Sequence, residues 1–167
     1  GFTAPEDVDM VIDGRVVTLG GAPARVGVNP IAIDAEGEWV YFAPMSGRSM
    51  YRVRSADLRN ERLDDAALTA RVERFGDKPL SDGSIVDAGG NVYVTSITDE
   101  TIGVIRPNGV YETLFAREDL SWTDGFALGP GGAVYVTVNQ LHRSPVLNDG
   151  TDARAGDFLL LKFDALN

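Results

Sequence analysis

A short alternation of polar and apolar positions is repeated three times along the chain. Each copy consists of a polar turn, an apolar strand, a glycine turn and a second apolar strand. The copies cover residues 29–42, 81–95 and 124–137. In every copy an Asn or Asp stands eight positions before the turn glycine. Runs of Val, Ile, Tyr and Phe between Gly and Pro residues are typical of strands, so the pattern predicts three copies of one antiparallel unit.

Further strands extend each unit. The sequence predicts them near residues 49–53, 110–115 and 158–163. Four strands at a period of roughly 40 to 50 residues indicate the blades of a β-propeller. The predicted fold is therefore all-β, with about three four-stranded blades. The blades are expected near residues 27–53, 82–115 and 124–163.

Outside the blades, the sequence predicts a hairpin, a loop and two insertions. The hairpin covers Met10 to Leu19 around Asp13-Gly14, a dipeptide that supplies the positive φ angles of a type I′ turn. The segment from Gly20 to Arg25 is predicted to be a loop. The insertions cover residues 55–75 and 139–157. In the first, acidic residues followed by strong helix formers predict one short surface helix from Asp64 to Val72.

Three blades do not close a ring, because propellers contain at least about four. An open fan would expose unpaired sheet faces and edges. We therefore expect the chain to form half of a larger propeller. The other half is expected from blades that precede these residues, from another chain, or from a second copy that associates with the first.

Composition narrows the classes of partner. The 167 residues, 44% of them hydrophobic, suit one domain with one ordinary core. A formal charge of -10 disfavours nucleic acids and anionic membrane surfaces and suits cationic ligands. The absence of cysteine excludes disulfides and thiolate metal sites. No apolar run approaches the roughly 18 residues of a membrane span.

The repeated polar positions predict a site. In a propeller the innermost strand of each blade starts near the central axis, so Asn29, Asp82 and Asp124 are expected to converge at the channel mouth. Two carboxylates and a carboxamide suit a hard cation, Ca²⁺ foremost. The alternative is that each side chain simply caps its own turn.

Other candidates lie close to these positions in sequence. Trp122 precedes Asp124 by two residues and is predicted to place an aromatic face at the channel mouth, or else to pack between blades. His142 is the only histidine in the sequence. It is predicted either to carry a proton near neutral pH or to hold its loop in place. Asn139, three residues earlier, is a further candidate for ligand binding. Lys78 is expected to pair with Asp77 or with a channel carboxylate.

Several separate segments together are typical of one protein family. They are Gly27 to Ala32, Trp39 to Gly47, Gly76 to Pro79, Ser81 to Gly83, Leu120 to Trp122 and Val138 to Arg143. With these segments in this order, the chain resembles the major royal jelly protein/Yellow family, in its bacterial-type form. The resemblance implies a six-bladed propeller of which this chain is the C-terminal half, and a secreted or periplasmic location.

The turns also resemble, more distantly, those of the gluconolactonase and senescence-marker-protein propellers. In those enzymes an Asn and an Asp from such turns bind a divalent metal. The resemblance implies that Asn29 and Asp82 are the corresponding ligands here, although the turns read Asn-Pro and Ser-Asp-Gly in this chain.

Three functional hypotheses remain open on the sequence. The first is a Yellow-like propeller that binds a small amine or aromatic ligand at its channel, together with a divalent cation. The second is a lactonase-type hydrolase whose metal, held by Asn29 and Asp82, polarises a carbonyl and activates water. The third is a non-catalytic scaffold that acts through its two insertions. The residues do not decide between binding and catalysis, and no catalytic residue is assigned.

Overall fold

The N-terminal segment forms two small hairpins in the computed structural model, which describes residues 1–166. Strands β1 (Val11–Ile12) and β2 (Arg15–Val16) pair around the predicted turn, where Asp13 has a φ of 53° and Gly14 a φ of 72°. Strands β3 (Thr18–Leu19) and β4 (Ala22–Pro23) form a second hairpin inside a segment predicted to be partly loop. Gly20 and Gly21 both have positive φ, which permits this two-residue turn.

The first blade is a four-stranded antiparallel sheet with order β5-β6-β7-β8. Its strands are β5 (Val28–Ile33), β6 (Trp39–Pro44), β7 (Ser49–Arg54) and β8 (Glu73–Asp77). Between β7 and β8 lie two short helices, α1 (Ser55–Leu58) and α2 (Asp65–Thr69), where one was predicted. Asp64 caps α2 by accepting a hydrogen bond from the Ala67 N–H at 2.8 Å. The predicted insertion ends earlier than expected, because β8 begins inside it.

The second blade has the four predicted strands, whereas the third has three among the described residues. The second contains β9 (Ser84–Val86), β10 (Val92–Ser96), β11 (Thr101–Ile105) and β12 (Tyr111–Ala116), and the third contains β13 (Thr123–Leu128), β14 (Ala133–Val138) and β15 (Leu159–Asp164). Within residues 1–166 the third blade therefore has three strands. Single 3₁₀ turns cover Pro130–Gly132 and Leu141–Arg143.

The core lies between neighbouring blades. Tyr41, Ala43 and Met50 of the first blade pack against apolar residues of β9, β10 and β11. On the other side of the second blade, Tyr93 and Val104 pack against Val134 of the third. Tyr41 and Tyr93 are thus buried between blades.

The sheets at the two ends of the fan keep apolar side chains exposed. In the first blade Ile31 is 64% exposed, and in the third Leu160 is 67% exposed. Val28, Ile33 and Leu128 are also exposed. In the part of the chain described here, no helix has the length and apolar character needed to cross a membrane.

Candidate ligand site at the inner strand ends

The three repeated polar residues lie where the innermost strand of each blade begins. In β5 the pairing register shifts between Val28 and Ile31, and in β13 it shifts between Thr123 and Phe126. These irregularities contain Asn29 and Asp124. Such bulges re-aim a side chain and are common beside functional sites.

In the second blade a threonine side chain holds the backbone at Asp82, which corresponds to Asn29 and Asp124 in the other blades. The Thr95 hydroxyl oxygen accepts hydrogen bonds from the N–H groups of Asp82 and Gly83, both at 3.0 Å. Thr137 of the third blade accepts the Gly125 N–H in the same way at 3.1 Å. Thr95 and Thr137 were not among the predicted residues, although they occupy the same place in their repeats.

Asp82 brings together residues from all three blades. One carboxylate oxygen, Oδ1, accepts a hydrogen bond from Asn29 Nδ2 at 2.6 Å, and the other, Oδ2, accepts one from Trp122 Nε1 at 2.7 Å. Asp82 is only 8% exposed. The predicted convergence of Asn29 and Asp82 is therefore present, and Trp122 joins them through its indole N–H.

Asp124 forms a second, half-buried pair. Its Oδ2 atom accepts a hydrogen bond from Asn139 Nδ2 at 2.6 Å, while Asn139 Oδ1 accepts the Leu141 N–H at 3.0 Å. Asn139 is the first residue of the predicted insertion at 139–157. It thus connects that insertion to Asp124, the repeated polar residue of the third blade. The predicted candidates Asp124 and Asn139 are in direct contact.

Both carboxyl groups are easier to protonate than usual. Burial raises the pKa of Asp82 to about 6, and the negative charge of Asp124 adds to this, while the hydrogen bonds from Trp122 and Asn29 oppose it. Burial also raises the pKa of Asp124, against the hydrogen bond from Asn139. A cation beside these groups would favour their ionised form.

One interpretation predicted that Trp122 places an exposed aromatic face at the channel mouth, and the structure contradicts it. Trp122 is 1% exposed, and its ring is stacked on the His142 ring at 6.0 Å between centroids and 9° between planes. Its φ of 60° is uncommon for a residue with a side chain. Its polar contribution to the site is the indole N–H.

His142 is a buried residue of the Leu141–Arg143 turn, and its ring is stacked on that indole ring. Its Nε2 lies 3.3 Å from Asp13 Oδ2, and its Nδ1 has no hydrogen-bond partner among the described residues. Burial lowers its pKa, while the hydrogen bond to Asp13 opposes this shift. Its location fits the loop-holding interpretation better than that of a proton carrier at the channel.

Lys78 contradicts the predicted ion pairs. It is 3% exposed, and its Nζ donates to the carbonyl oxygens of Gly47 at 2.7 Å and Pro79 at 2.9 Å. Asp77 instead contacts Arg74. Burial lowers the pKa of Lys78 to about 7. The residue types around Lys78 do not indicate its burial, because both acceptors are backbone carbonyls.

The oxygen atoms around Asp82 are chemically compatible with a hard cation. Asn29, Asp82 and Asp124 offer two carboxylates and one carboxamide, which are ligands of the kind that Ca²⁺ prefers. The hydroxyl oxygens of Ser81, Ser121 and Thr123, which adjoin Asp82 or Trp122 in sequence, are buried and lack partners among the described residues. Within residues 1–166, no cluster of three or more His, Cys, Asp or Glu side chains is arranged to hold a metal.

Comparison with protein families identifies the chain. The family described as major royal jelly protein matches residues 2–118, which is more than half of the sequence. The chain belongs to the major royal jelly protein family. The matched part of this family member includes Asn29 and Asp82 and ends before Trp122 and Asp124. A comparison with curated proteins finds no match.

Solved propeller structures resemble this major royal jelly family chain at low sequence identity. A gluconolactonase from Xanthomonas campestris is 15% identical, with a TM-score of 0.50, over 75% of this chain and 42% of its own. A virginiamycin B lyase from Staphylococcus aureus is 12% identical, with a TM-score of 0.50, over 92% and 45%. A luciferin-regenerating enzyme is 16% identical, with a TM-score of 0.51, over 75% and 41%. These similarities show the propeller fold, and the chain spans less than half the length of each structure.

Proposed function

We propose that this chain binds a small cationic ligand at the inner ends of its blades. The observation that carries the proposal is the Asp82 carboxylate, which is buried and held in place by Asn29 and Trp122. A buried carboxylate with a second acidic group nearby is costly to keep charged unless a cation neutralises it. The raised pKa of Asp82 expresses that cost.

Two kinds of cation share this chemistry. An organic ammonium would donate hydrogen bonds to the carboxylates of Asp82 and Asp124. A divalent cation such as Ca²⁺ would be held by Asn29, Asp82 and Asp124 through oxygen atoms. The Asn29 side chain, with its amide group beside Asp82, can present either its N–H₂ or its carbonyl oxygen to the ligand.

Metal-dependent hydrolysis of a lactone is the second candidate. One similar structure is described as a gluconolactonase. Asn29 and Asp82 each carry a side-chain oxygen that can bind a metal, and Asn29 Nδ2 donates a hydrogen bond to Asp82 Oδ1. A bound metal would supply Lewis-acid chemistry, and these residues would orient it. This candidate requires a divalent-cation site, so the binding experiment below also tests it.

Asp82 provides the most direct test of the site. We expect calorimetric titration with CaCl₂, and separately with phenethylamine, to show binding by one of them. Replacing Asp82 with Asn should weaken that binding at least about tenfold, since a charge-assisted contact is lost. Binding should also weaken as the pH falls through about 6, because protonated Asp82 has lost its charge.

Asp119→Asn is the matched control, because Asp119 is an exposed carboxylate that contacts Arg117. It should leave the affinity within about twofold. Binding of neither probe, or equal binding by the Asp82→Asn variant, would contradict the proposal.

We further propose that additional blades complete the channel, supplied by another chain segment or by a second copy. The apolar side chains exposed on the two end sheets, Ile31 and Leu160 among them, are the surfaces that such blades would cover. If a second copy covers them, light scattering of the 167-residue chain should give twice the monomer mass. Ile31→Asp should then restore the monomer, and Val11→Asp, at an exposed position in the N-terminal hairpin, should not. A monomeric wild-type chain would exclude the second copy.

A further inference from the structure

The two N-terminal hairpins form a cap on the loops that carry the candidate site. We define the cap as residues 8–26. Its buried side chains, Met10, Ile12, Val17 and Ala24, belong to one apolar cluster with residues from the loops of all three blades. The loop residues of that cluster are Met45, Leu80, Ile97, Trp122 and Leu147. Two of them, Leu80 and Trp122, stand two residues before Asp82 and Asp124 in sequence.

Polar contacts attach the cap to the insertion at residues 139–157. Asp13 Oδ2 forms an ion pair with Arg143 at 3.0 Å and lies 3.3 Å from His142 Nε2. Arg15 donates to the His142 carbonyl oxygen at 3.1 Å, and the Thr18 hydroxyl donates to Asp149 at 2.6 Å. The cap therefore contacts the same insertion whose first residue, Asn139, holds Asp124.

Trp122 connects the cap to Asp82. Its ring lies in the apolar cluster under the cap and is stacked on His142, while its N–H donates to the Asp82 carboxylate. Its backbone is in the left-handed region, which a residue with a side chain keeps only when its surroundings hold it there. Two backbone hydrogen bonds hold this loop. The Asn139 N–H donates to the Trp122 carbonyl oxygen, and the Gln140 N–H donates to the Ser121 carbonyl oxygen.

We propose that docking of the cap and the state of the Asp82 site are energetically coupled through Trp122, which acts as a positioning residue. When the Asp82 carboxylate is in place, the indole N–H is paired and the ring stays in the cluster that the cap covers. When the carboxylate is removed, a buried N–H loses its acceptor, and moving the ring towards water relieves that cost. That movement withdraws an apolar surface from the cap. The ligand part of this inference rests on the proposed function, whereas the ligand-free part does not.

Hydrogen exchange of cap amides tests the coupling without any ligand. The Val17 N–H donates a hydrogen bond to the Met10 carbonyl oxygen, and the Ala24 N–H donates one to the Val17 carbonyl oxygen. Exchange of these two amides therefore reports opening of the cap. The amides of β11, a buried strand that is paired on both sides, serve as the reference for changes in global stability. We expect Asp82→Ala to accelerate exchange of the two cap amides about tenfold or more relative to β11.

Two further variants separate coupling from a general structural effect. Asn29→Ala removes the other hydrogen bond to Asp82 but leaves the carboxylate oxygen that accepts the indole N–H, so the relative cap exchange should stay within about twofold. Trp122→Phe keeps an aromatic ring and removes the N–H. In that background Asp82→Ala should add little further acceleration, because the connection is already cut. Unchanged cap exchange in Asp82→Ala, or fully additive effects in the double variant, would overturn the inference.

The cap side and the ligand provide the reciprocal test. Asp13→Asn keeps a residue that favours the type I′ turn and removes the charge that Arg143 and His142 contact. It should accelerate cap exchange and weaken Ca²⁺ binding severalfold, whereas Glu38→Gln, whose ion pair with Arg54 involves no residue of the cap, should do neither. Added Ca²⁺ should slow exchange of Val17 and Ala24 in the wild type. If Ca²⁺ has no effect while the ligand-free coupling is observed, the choice of ligand is wrong and the cap coupling stands.

Discussion

Replacing Gly83 with alanine is expected to destabilise the chain by more than about 3 kcal/mol, the upper end of typical overpacking costs. A Cβ atom at Gly83 would overlap the backbone carbonyl oxygen of Asp124. Backbone atoms cannot rotate away as a flexible side chain can, so the innermost strands of the second and third blades would have to separate. The contact joins the two blades at the candidate site, and the site geometry should be lost together with stability.

Gly125→Ala is the matched control for this prediction. Gly125 occupies the same place in the third repeat, directly after its acidic residue, but a Cβ there would meet only the Thr137 hydroxyl at 3.6 Å, an ordinary contact. We expect it to cost less than about 1 kcal/mol. Urea unfolding followed by circular dichroism measures both variants. Similar losses in the two variants would show that the close approach at Gly83 is not the cause.

The blades were predictable because their signal is local. Alternating apolar positions and turn glycines at a fixed spacing determine where strands begin and which side chains point inward. The strand β8 was not predicted, because residues 73–77 have little apolar alternation and follow a helical segment. Its assignment to the sheet comes from pairing with β7, which sequence patterns alone do not reveal.

The candidate site was only partly predictable for a related reason. The phase of the repeat placed Asn29, Asp82 and Asp124 at equivalent strand ends. In the structure Asn29 donates a hydrogen bond directly to Asp82, and Trp122 donates one to the other oxygen of the same carboxylate. The burial of Trp122 depends on a cap that is distant in sequence, and nothing in the residues around Trp122 indicates it. The contact between Asp13 and His142 likewise joins segments separated by 129 residues.

Lys78 should make stability depend on pH in the alkaline range. Its pKa in the folded chain is about 7, compared with 10.5 for the ordinary group, because burial disfavours the charged amine. Between these values the unfolded chain binds a proton at Lys78 that the folded chain has released. Stability therefore rises with pH in this window, and the contribution is lost as the pH falls to 7. At about 1.4 kcal/mol for each pH unit, the gain from pH 7 to pH 9.5 is about 3 kcal/mol.

Lys78→Met is expected to remove this rise. The variant leaves the carbonyl oxygens of Gly47 and Pro79 without their donor, a cost that does not change with pH. The slope of the unfolding free energy against pH, and not its value at one pH, therefore measures the buried amine. Lys162→Met, at an exposed position on β15, should keep the wild-type slope. Parallel profiles for the wild type and Lys78→Met would mean that the Lys78 amine stays charged in the folded chain, balanced by its two carbonyl acceptors and the nearby Glu6.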